Sequence, residues 1–284
     1  MFRLSAFADE YDPCFAKQLE GVRKNGIEMI EPRGLDGKSV ADLSLEEAER
    51  YHRMLVDAGI GISAIGSPIG KIAIEAPMEP ELERLRRVAE IAHIMGTDRI
   101  RVFSFFMKPE ECAKNRAEVM RRMTAMVKVA EQEQVLLCHE NEKDIYGDTA
   151  ERCMDLWREM GGAIALVYDA ANFLDIGQEA YPHAYEVMKE AILYCHIKDS
   201  LGGCQYRPAG KGAGRIGEML AAIARDQAGK ELVLTLEPHL KIFGGMASLE
   251  QDMDRIHTGE GYPDNHTAFD AAVEALRSVL PKEA

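Results

Sequence analysis

The sequence contains no hydrophobic run that approaches the ~20 apolar residues needed to cross a bilayer. Its opening segment, MFRLSAFADEYDP, reaches Asp9 and Glu10 before any stretch long enough for a signal peptide. From these two absences we expect a cytoplasmic protein without a membrane partner.

Closely spaced cysteines are absent as well. The six cysteines are scattered over 284 residues, and no two of them form a Cys-X-X-Cys motif. Because this spacing is typical of neither a disulfide framework nor a redox motif, we expect six reduced thiols in a cytosolic protein.

Positive charge is scarce relative to negative charge. The chain has 34 lysine and arginine residues against 48 aspartate and glutamate residues, which gives a formal net charge of −14. Such an acidic surface repels phosphate backbones and anionic lipids. Neither nucleic acid nor a membrane is therefore an expected partner.

The chain also lacks a serine- or proline-rich linker and a GxGxxG motif after its first apolar run. It shows instead a strict alternation of short apolar runs with longer amphipathic stretches. Eight runs are predicted to be strands, at 2–8, 27–33, 61–67, 99–105, 135–140, 164–169, 192–199 and 231–237. This pattern predicts an α/β fold, a (β/α)8 TIM barrel that forms one domain over residues 1–284.

Helix boundaries are marked by capping residues. Ser44 and Glu47 match a capping box, and Gly59 and Gly96 are predicted to end two helices. Asp148 is predicted to be the N-cap of a later helix, and a last helix is predicted at about 265–280. Residues 240–264 exceed a normal loop and are predicted to form a cap after strand eight.

Four neighbouring predicted strands end in side chains that can bind a metal, namely Glu140, Asp169, His196 and Glu237. The carboxyl ends of barrel strands meet at one mouth, where three carboxylates would repel one another unless a cation neutralised them. We therefore predict one divalent metal ion. Oxygen and imidazole ligands without a thiolate favour Mn²⁺, with Mg²⁺, Co²⁺ or Zn²⁺ as alternatives.

The sequence resembles the xylose-isomerase-like sugar isomerase and epimerase TIM barrels, which include ketose 3-epimerases, hydroxypyruvate isomerases and inosose dehydratases. The resemblance extends over essentially the whole chain and is carried by FADE, GIEMIEPRG, HENE, YDAANF, HIKD, PAGKGAG and LEPHL in this order. It implies that Glu140, Asp169, His196 and Glu237 hold the metal and that Glu140 and Glu237 are the catalytic acid/base pair.

The implied reaction is the epimerisation or isomerisation of a small sugar, keto-sugar or sugar phosphate. A proton would be removed and returned through an enediolate that the metal stabilises. The family often has histidine three residues after the aspartate, where this chain has Asn172. Asparagine can hydrogen-bond a hydroxyl but cannot carry a proton, which leaves the substrate and the reaction open.

Further residues are candidates for substrate binding. Lys198 and Asp199 follow His196 and are predicted either to contact the substrate or to solvate a loop. Arg207 lies in the loop where a related epimerase places a substrate-binding arginine, and His239 is expected at the barrel mouth.

The sequence also makes predictions for Glu31, His139 and the PAGKGAG stretch. Glu31 is predicted either to reach the sugar or to pair with Arg33 at the rim. His139 is predicted to point away from Glu140, because side chains alternate along a strand. The PAGKGAG stretch suits either a phosphate cradle or a flexible loop, and the loop is favoured.

Two other functions remain open. A metal-dependent lyase, such as an inosose-type dehydratase or an enzyme that cleaves an oxidised glycoside, begins with the same proton removal. A non-catalytic sugar-binding barrel would need no turnover. The related apurinic endonucleases are disfavoured by the net charge of −14. A homo-oligomer is possible, since barrels of this family often pair.

Overall fold

Strands and helices alternate through most of the chain in the computed structural model, which describes residues 1–246, 253–258 and 261–281. The strands at the predicted barrel positions are β1 (Phe2–Ala6), β2 (Met29–Ile30), β3 (Gly61–Ile62), β4 (Arg99–Val102), β5 (Leu136–Glu140), β6 (Ile164–Asp169), β7 (Ile192–Ile197) and β8 (Leu232–Leu236).

The α-helices of the described residues lie between these strands and after them. They are α1 (Phe15–Lys24), α2 (Leu45–Ala58), α3 (Glu79–Met95), α4 (Cys112–Glu133), α5 (Ala150–Glu159), α6 (Ala170–Asp175), α7 (Tyr185–Met188), α8 (Ile216–Asp226) and α9 (Asn265–Val279). Within the described ranges, no helix has the length and apolarity required to span a bilayer.

Six strands form one curled parallel sheet in the order β1-β8-β7-β6-β5-β4. Strands β2 and β3 form a separate parallel pair. Backbone hydrogen bonds connect this pair to both edges of the sheet. The N–H of Glu31 donates to the carbonyl of Ala6 at 3.0 Å, and that of Ile65 donates to the carbonyl of Arg99 at 2.8 Å.

Strands β2 and β3 are shorter than the runs 27–33 and 61–67 predicted for them. Pro32, two positions after the end of β2, has no N–H, so that segment cannot continue a regular ladder. The segments stay paired by single bonds, such as that from the N–H of Gly66 to the carbonyl of Pro32 at 3.0 Å.

The predicted capping signals are mostly confirmed. Both hydrogen bonds of the Ser44–Glu47 capping box are present, and Gly59 and Gly96 end their helices with φ of 69° and 84°. At α5 the prediction is wrong by one residue.

Thr149, and not Asp148, is the N-cap of α5, because its hydroxyl accepts a hydrogen bond from the N–H of Arg152 at 3.3 Å. The Asp148 carboxylate instead pairs with the guanidinium of Arg152.

A layer of buried side chains from different strands fills the barrel interior. It consists of Met29, Ala64, Cys138, Val167, Tyr194 and Val233. Their neighbours along the strands, such as Leu137 and Leu166, belong to the outer core under the helices. Since side chains alternate along a strand, residues an even number of positions beyond this layer also face the interior.

The predicted cap, residues 240–264, is described in part. Phe243, Met246 and Ile256 pack with Tyr206 in a small apolar cluster, and the short strand His257–Thr258 pairs with the strand Gln205–Arg207. Residues 247–252 and 259–260 of this segment lie outside the described residues.

Candidate active site

Four of the predicted site residues lie just above the interior layer. Glu140, Asp169 and His196 each come two positions after a residue of that layer, and Glu237 comes four positions after Val233. Strand alternation therefore directs all four side chains into the barrel mouth. None is more than 4% exposed.

The four side chains form one cluster. A ligand atom from each of Glu140, Asp169, His196 and Glu237 lies within 4.8 Å of the ligand atoms of the other three. The Nδ1 atom of His196 is 3.0 Å from Oε1 of Glu140 and 3.3 Å from Oε2 of Glu237.

The donor atoms of this cluster fit a divalent cation. One buried oxygen each of Glu140, Asp169 and Glu237 lacks a hydrogen-bond partner among the described residues. Ligands on opposite sides of a Mg²⁺ ion are about 4.2 Å apart, close to the spread of the cluster. Three carboxylates and one imidazole nitrogen match the preference of Mn²⁺ or Mg²⁺ for hard donors.

Neighbouring charged groups shift the pKa values of the carboxylates in different directions. Burial raises the pKa of Glu140, but His196 and Arg101 outweigh burial and hold it below its ordinary value. Burial likewise opposes ionisation of Glu237, yet Lys198, His196 and His239 hold its pKa well below the usual range.

Asp169 has the opposite shift, because burial and the nearby glutamates raise its pKa to about 7 in spite of Lys198. For His196, burial lowers the pKa, but Glu140 and Glu31 raise it well above its ordinary value. The carboxylates packed around Asp169 and His196 contribute to both shifts, and they favour a bound proton or cation at these two groups.

Glu31 orients the imidazole of His196. Its Oε2 atom is 3.2 Å from Nε2 of His196, and its Oε1 atom accepts a hydrogen bond from the hydroxyl of Tyr194 at 3.2 Å. This arrangement turns Nδ1 toward the cluster. A carboxylate behind a metal-binding histidine commonly fixes the ring in this manner. Glu31 contacts His196 and Tyr194, while Arg33 pairs with other acids, so the predicted rim pair of Glu31 with Arg33 is wrong. Contact of Glu31 with the sugar stays a prediction.

Arg33 binds a second group of acids beside the cluster. Its guanidinium contacts Asp9 at 3.0 Å, Glu10 at 3.3 Å and Oε1 of Glu237 at 2.7 Å. Glu10, Glu237 and His239 also come close enough to hold a metal. Arg33 already supplies positive charge to both glutamates, so this group does not need an ion for neutrality.

Lys198, Asn172 and His239 also lie at the cluster. The ammonium group of Lys198 is 3.2 Å from Asp169 and 3.8 Å from Glu237. The Asn172 side chain donates to the carbonyl of Asn141 at 2.8 Å, and its buried Oδ1 atom has no partner among the described residues. The Nε2 atom of His239 is 3.4 Å from Glu237.

Asp199 and Arg207 lie apart from the cluster contacts. The carboxylate of Asp199 accepts hydrogen bonds from the N–H groups of Ser200, Gly210, Gly212 and Gly214 at 2.8 to 3.0 Å. The PAGKGAG loop is thus an anion cradle, as one interpretation of its glycines proposed, but its occupant is Asp199. Arg207 donates to the carbonyl of Tyr206 at 2.7 Å.

His139 faces away from Glu140, as predicted from strand alternation. It is fully buried, and its Nε2 atom is 2.9 Å from the hydroxyl of Ser104. Gly147 approaches the ring so closely that an added Cβ would lie 2.3 Å from it. Burial lowers the pKa of His139 to about 4, which keeps the ring neutral.

Arg101, Asp9, Glu10 and Glu142 were missed as site residues in the sequence. Arg101 contacts Glu140 at 3.3 Å, and its position inside a buried strand was a usable signal. Asp9 and Glu10 follow β1 in the FADE motif. Glu142, in HENE, pairs with Lys71 at 3.0 Å.

A family model that describes xylose isomerase-like TIM barrels matches residues 19–274. The chain belongs to this family. The membership confirms both the predicted resemblance and the predicted fold class. No protein with a curated description matches the chain in sequence.

Solved structures of other xylose isomerase-like TIM barrels share the fold. The probable 3-DHS dehydratase AsbF of Bacillus anthracis has a TM-score of 0.73 and 17% identity, with 97% of this chain and 98% of that chain covered. D-allulose 3-epimerase from Methylomonas sp. has a TM-score of 0.74 and 14% identity, with 98% of each chain covered.

A Mycobacterium smegmatis protein of the same family, solved in complex with magnesium, has a TM-score of 0.65 and 17% identity, with 94% and 89% of the two chains covered. Identities this low establish the fold and leave the reaction open.

Proposed function

We propose that the protein is a divalent-metal-dependent isomerase or epimerase of a small sugar, keto-sugar or sugar phosphate. One observation carries the proposal. Glu140, Asp169, His196 and Glu237 each place a buried ligand atom within 4.8 Å of the others, and one oxygen of each carboxylate has no hydrogen-bond partner among the described residues. Among its structural neighbours are two enzymes named as sugar 3-epimerases and one named as a dehydratase.

These four residues would hold the ion, with Mn²⁺ as the proposed metal. The chemistry that a bound divalent cation supplies is stabilisation of negative charge on a substrate oxygen next to the carbon that loses a proton. Asn172 has a free amide oxygen for a substrate hydroxyl.

Glu140 and Glu237 are the proposed acid/base pair. Both are held in the ionised form, because cationic neighbours overcome the effect of burial on their pKa values. The ionised carboxylate on one face can accept the proton from carbon. The carboxylate on the other face must first take up a proton from solvent, which it then returns to the carbon, and the first carboxylate afterwards releases its proton to solvent. Positioned acid–base groups of this type contribute about 10²–10⁴-fold in rate.

A lyase is the second candidate, because a dehydratase is among the structural neighbours. It would use the same base and then expel a leaving group from the adjacent carbon. A barrel that only binds sugars is the third candidate, and it predicts no turnover and little dependence on metal.

Incubation with Mn²⁺ in D₂O separates these candidates by NMR. The probes are D-psicose, D-fructose, D-tagatose and 3-dehydroshikimate. Solvent deuterium in an intact isomeric product supports the proposal. An unsaturated product that has lost water supports the lyase. Binding of a sugar without exchange or product, whether or not a chelator is present, supports the binding barrel and overturns the proposed function.

A further inference from the structure

We propose that the cavity beside the metal-ligand cluster binds an anionic group of the substrate, a carboxylate or a phosphate. The inference deepens the proposed function and rests on it. The cavity has a volume of about 610 Å³ and is lined by five cationic side chains, Arg33, Lys38, Lys71, Arg84 and Arg101. The acidic residues that line it are Asp9 and Asp42.

The cavity adjoins the site through two buried arginines. Arg33 and Arg101 line it and also contact Glu237 at 2.7 Å and Glu140 at 3.3 Å. We expect a molecule whose reacting carbon lies between the two glutamates to extend past these arginines into the cavity. Its far end would meet the cationic wall.

The lining of the cavity is predominantly positive, whereas the whole chain is negative. Five cations against two acids line the cavity in a chain of net charge −14. A cleft with low-dielectric walls and one predominant sign of charge concentrates ligands of the opposite sign. A neutral sugar would gain only hydrogen bonds from this arrangement, whereas an anionic one would also be attracted by the charge.

Each of the five cations has an acidic partner. Three of these partners lie outside the lining, namely Glu47 for Lys38, Glu142 for Lys71 and Glu140 for Arg101. Arg33 and Arg84 pair with the lining residues Asp9 and Asp42, so the lining itself keeps three more cations than acids. Arg101 is 3% exposed, and its Nε atom has no hydrogen-bond partner within the described residues. A guanidinium N–H donates a charge-assisted hydrogen bond to a carboxylate or a phosphate oxygen, so this Nε suits either anion.

Calorimetry on the full-length, Mn²⁺-loaded chain with three matched polyols tests the inference. Sorbitol is neutral, gluconate carries a carboxylate at one end, and sorbitol 6-phosphate carries a phosphate. We expect at least one of the two anions to bind about tenfold or more tightly than sorbitol. The two anionic arms distinguish a carboxylate from a phosphate.

Two variants test whether the anion binds in the cavity or elsewhere on the protein. Lys71→Gln should reduce the preference for the anion over sorbitol at least about threefold. Lys128→Gln removes the same charge from the exposed face of α4 and should leave the preference unchanged. Gluconate bound only by the metal would keep its preference in Lys71→Gln.

Equal affinity for all three polyols, a preference unaffected by Lys71→Gln, or no binding of either anion at millimolar concentration would each overturn the inference. Binding is measured without turnover. A chain that prefers the anions but catalyses nothing in D₂O would therefore keep the anion site and lose the proposed function.

Discussion

Asp169 and Asp199 are both buried, and both follow or end a barrel strand, yet their surroundings differ. Asp199 accepts four backbone N–H groups, two on each oxygen. Asp169 accepts one, from Asn172 on Oδ1, and its Oδ2 atom forms an ion pair with Lys198 at 3.2 Å but has no hydrogen-bond partner among the described residues. A saturated carboxylate belongs to the fold, whereas an open one is available to a ligand.

The same distinction applies to the regions around them. The backbone amides of Ser200 and of the PAGKGAG loop hydrogen-bond the buried carboxylate of Asp199, so this region needs no ligand from solution. In the cluster of Glu140, Asp169, His196 and Glu237, each carboxylate has one oxygen without a hydrogen-bond partner among the described residues, so this region could bind a cation. The two regions should therefore respond differently to loss of a charge.

The largest expected difference is in turnover. Glu237→Gln removes a proposed acid/base group while keeping the shape of the side chain, and we expect it to lower kcat by at least about 10²-fold. Asp199→Asn should keep most of the activity of its folded fraction. The D₂O exchange assay measures both. Near wild-type exchange in Glu237→Gln would remove Glu237 from the acid/base pair.

Metal affinity should change next most. Asp169→Asn replaces a charged ligand with a neutral amide, and we expect Mn²⁺ to bind about 100-fold more weakly. Asp199→Asn serves as the matched control and should bind Mn²⁺ within about threefold of the wild type. Titration calorimetry gives both values. Equal weakening in the two variants would contradict the division into open and saturated carboxylates.

For stability, we expect the substitution at Asp199 to cost more than the substitution at Asp169. Asp199→Asn weakens hydrogen bonds from three glycine amides to a buried charge, and we expect a loss of about 1–3 kcal/mol in the free energy of unfolding. Without added metal, Asp169→Asn should cost less or even stabilise, because it removes repulsion between carboxylates. Urea denaturation of the metal-free variants compares them.

The smallest expected effect is that of a substitution at Glu31, which lies behind His196. Glu31→Gln keeps an acceptor for Nε2 of His196 but removes its charge, so Mn²⁺ affinity should fall only about tenfold. Glu231→Gln is a matched control, since that glutamate pairs with Arg3 at an exposed position. An unchanged affinity in Glu31→Gln would show that Glu31 does not support the ligand.

The convergence of the four predicted ligands could be derived from the sequence because it follows from a local rule. Side chains alternate along strands, and strands in succession end at the same mouth. The helix ends at Gly59 and Gly96 were predictable for the same reason, since a few adjacent residues decide them.

Contacts between residues that are far apart in the sequence could not be derived in this way. Glu31 and Arg33 stand two positions apart, which suggested a mutual pair. Arg33 instead pairs with Glu237, 204 positions away, and Glu31 turns inward to His196. Likewise, the HIKD motif does not reveal that the carboxylate of Asp199 is enclosed by a loop eleven to fifteen positions downstream.

The bond between Arg33 and Glu237 has a consequence for the order of folding. It joins residues beside the second and last barrel strands, and β8 also completes the sheet by pairing with β1. During synthesis at about 5–20 residues per second, Glu140, Asp169 and His196 emerge before either closure can form. Metal capture should therefore coincide with the arrival of the final strand, and ribosome-bound chains that stop short of it should not retain the ion.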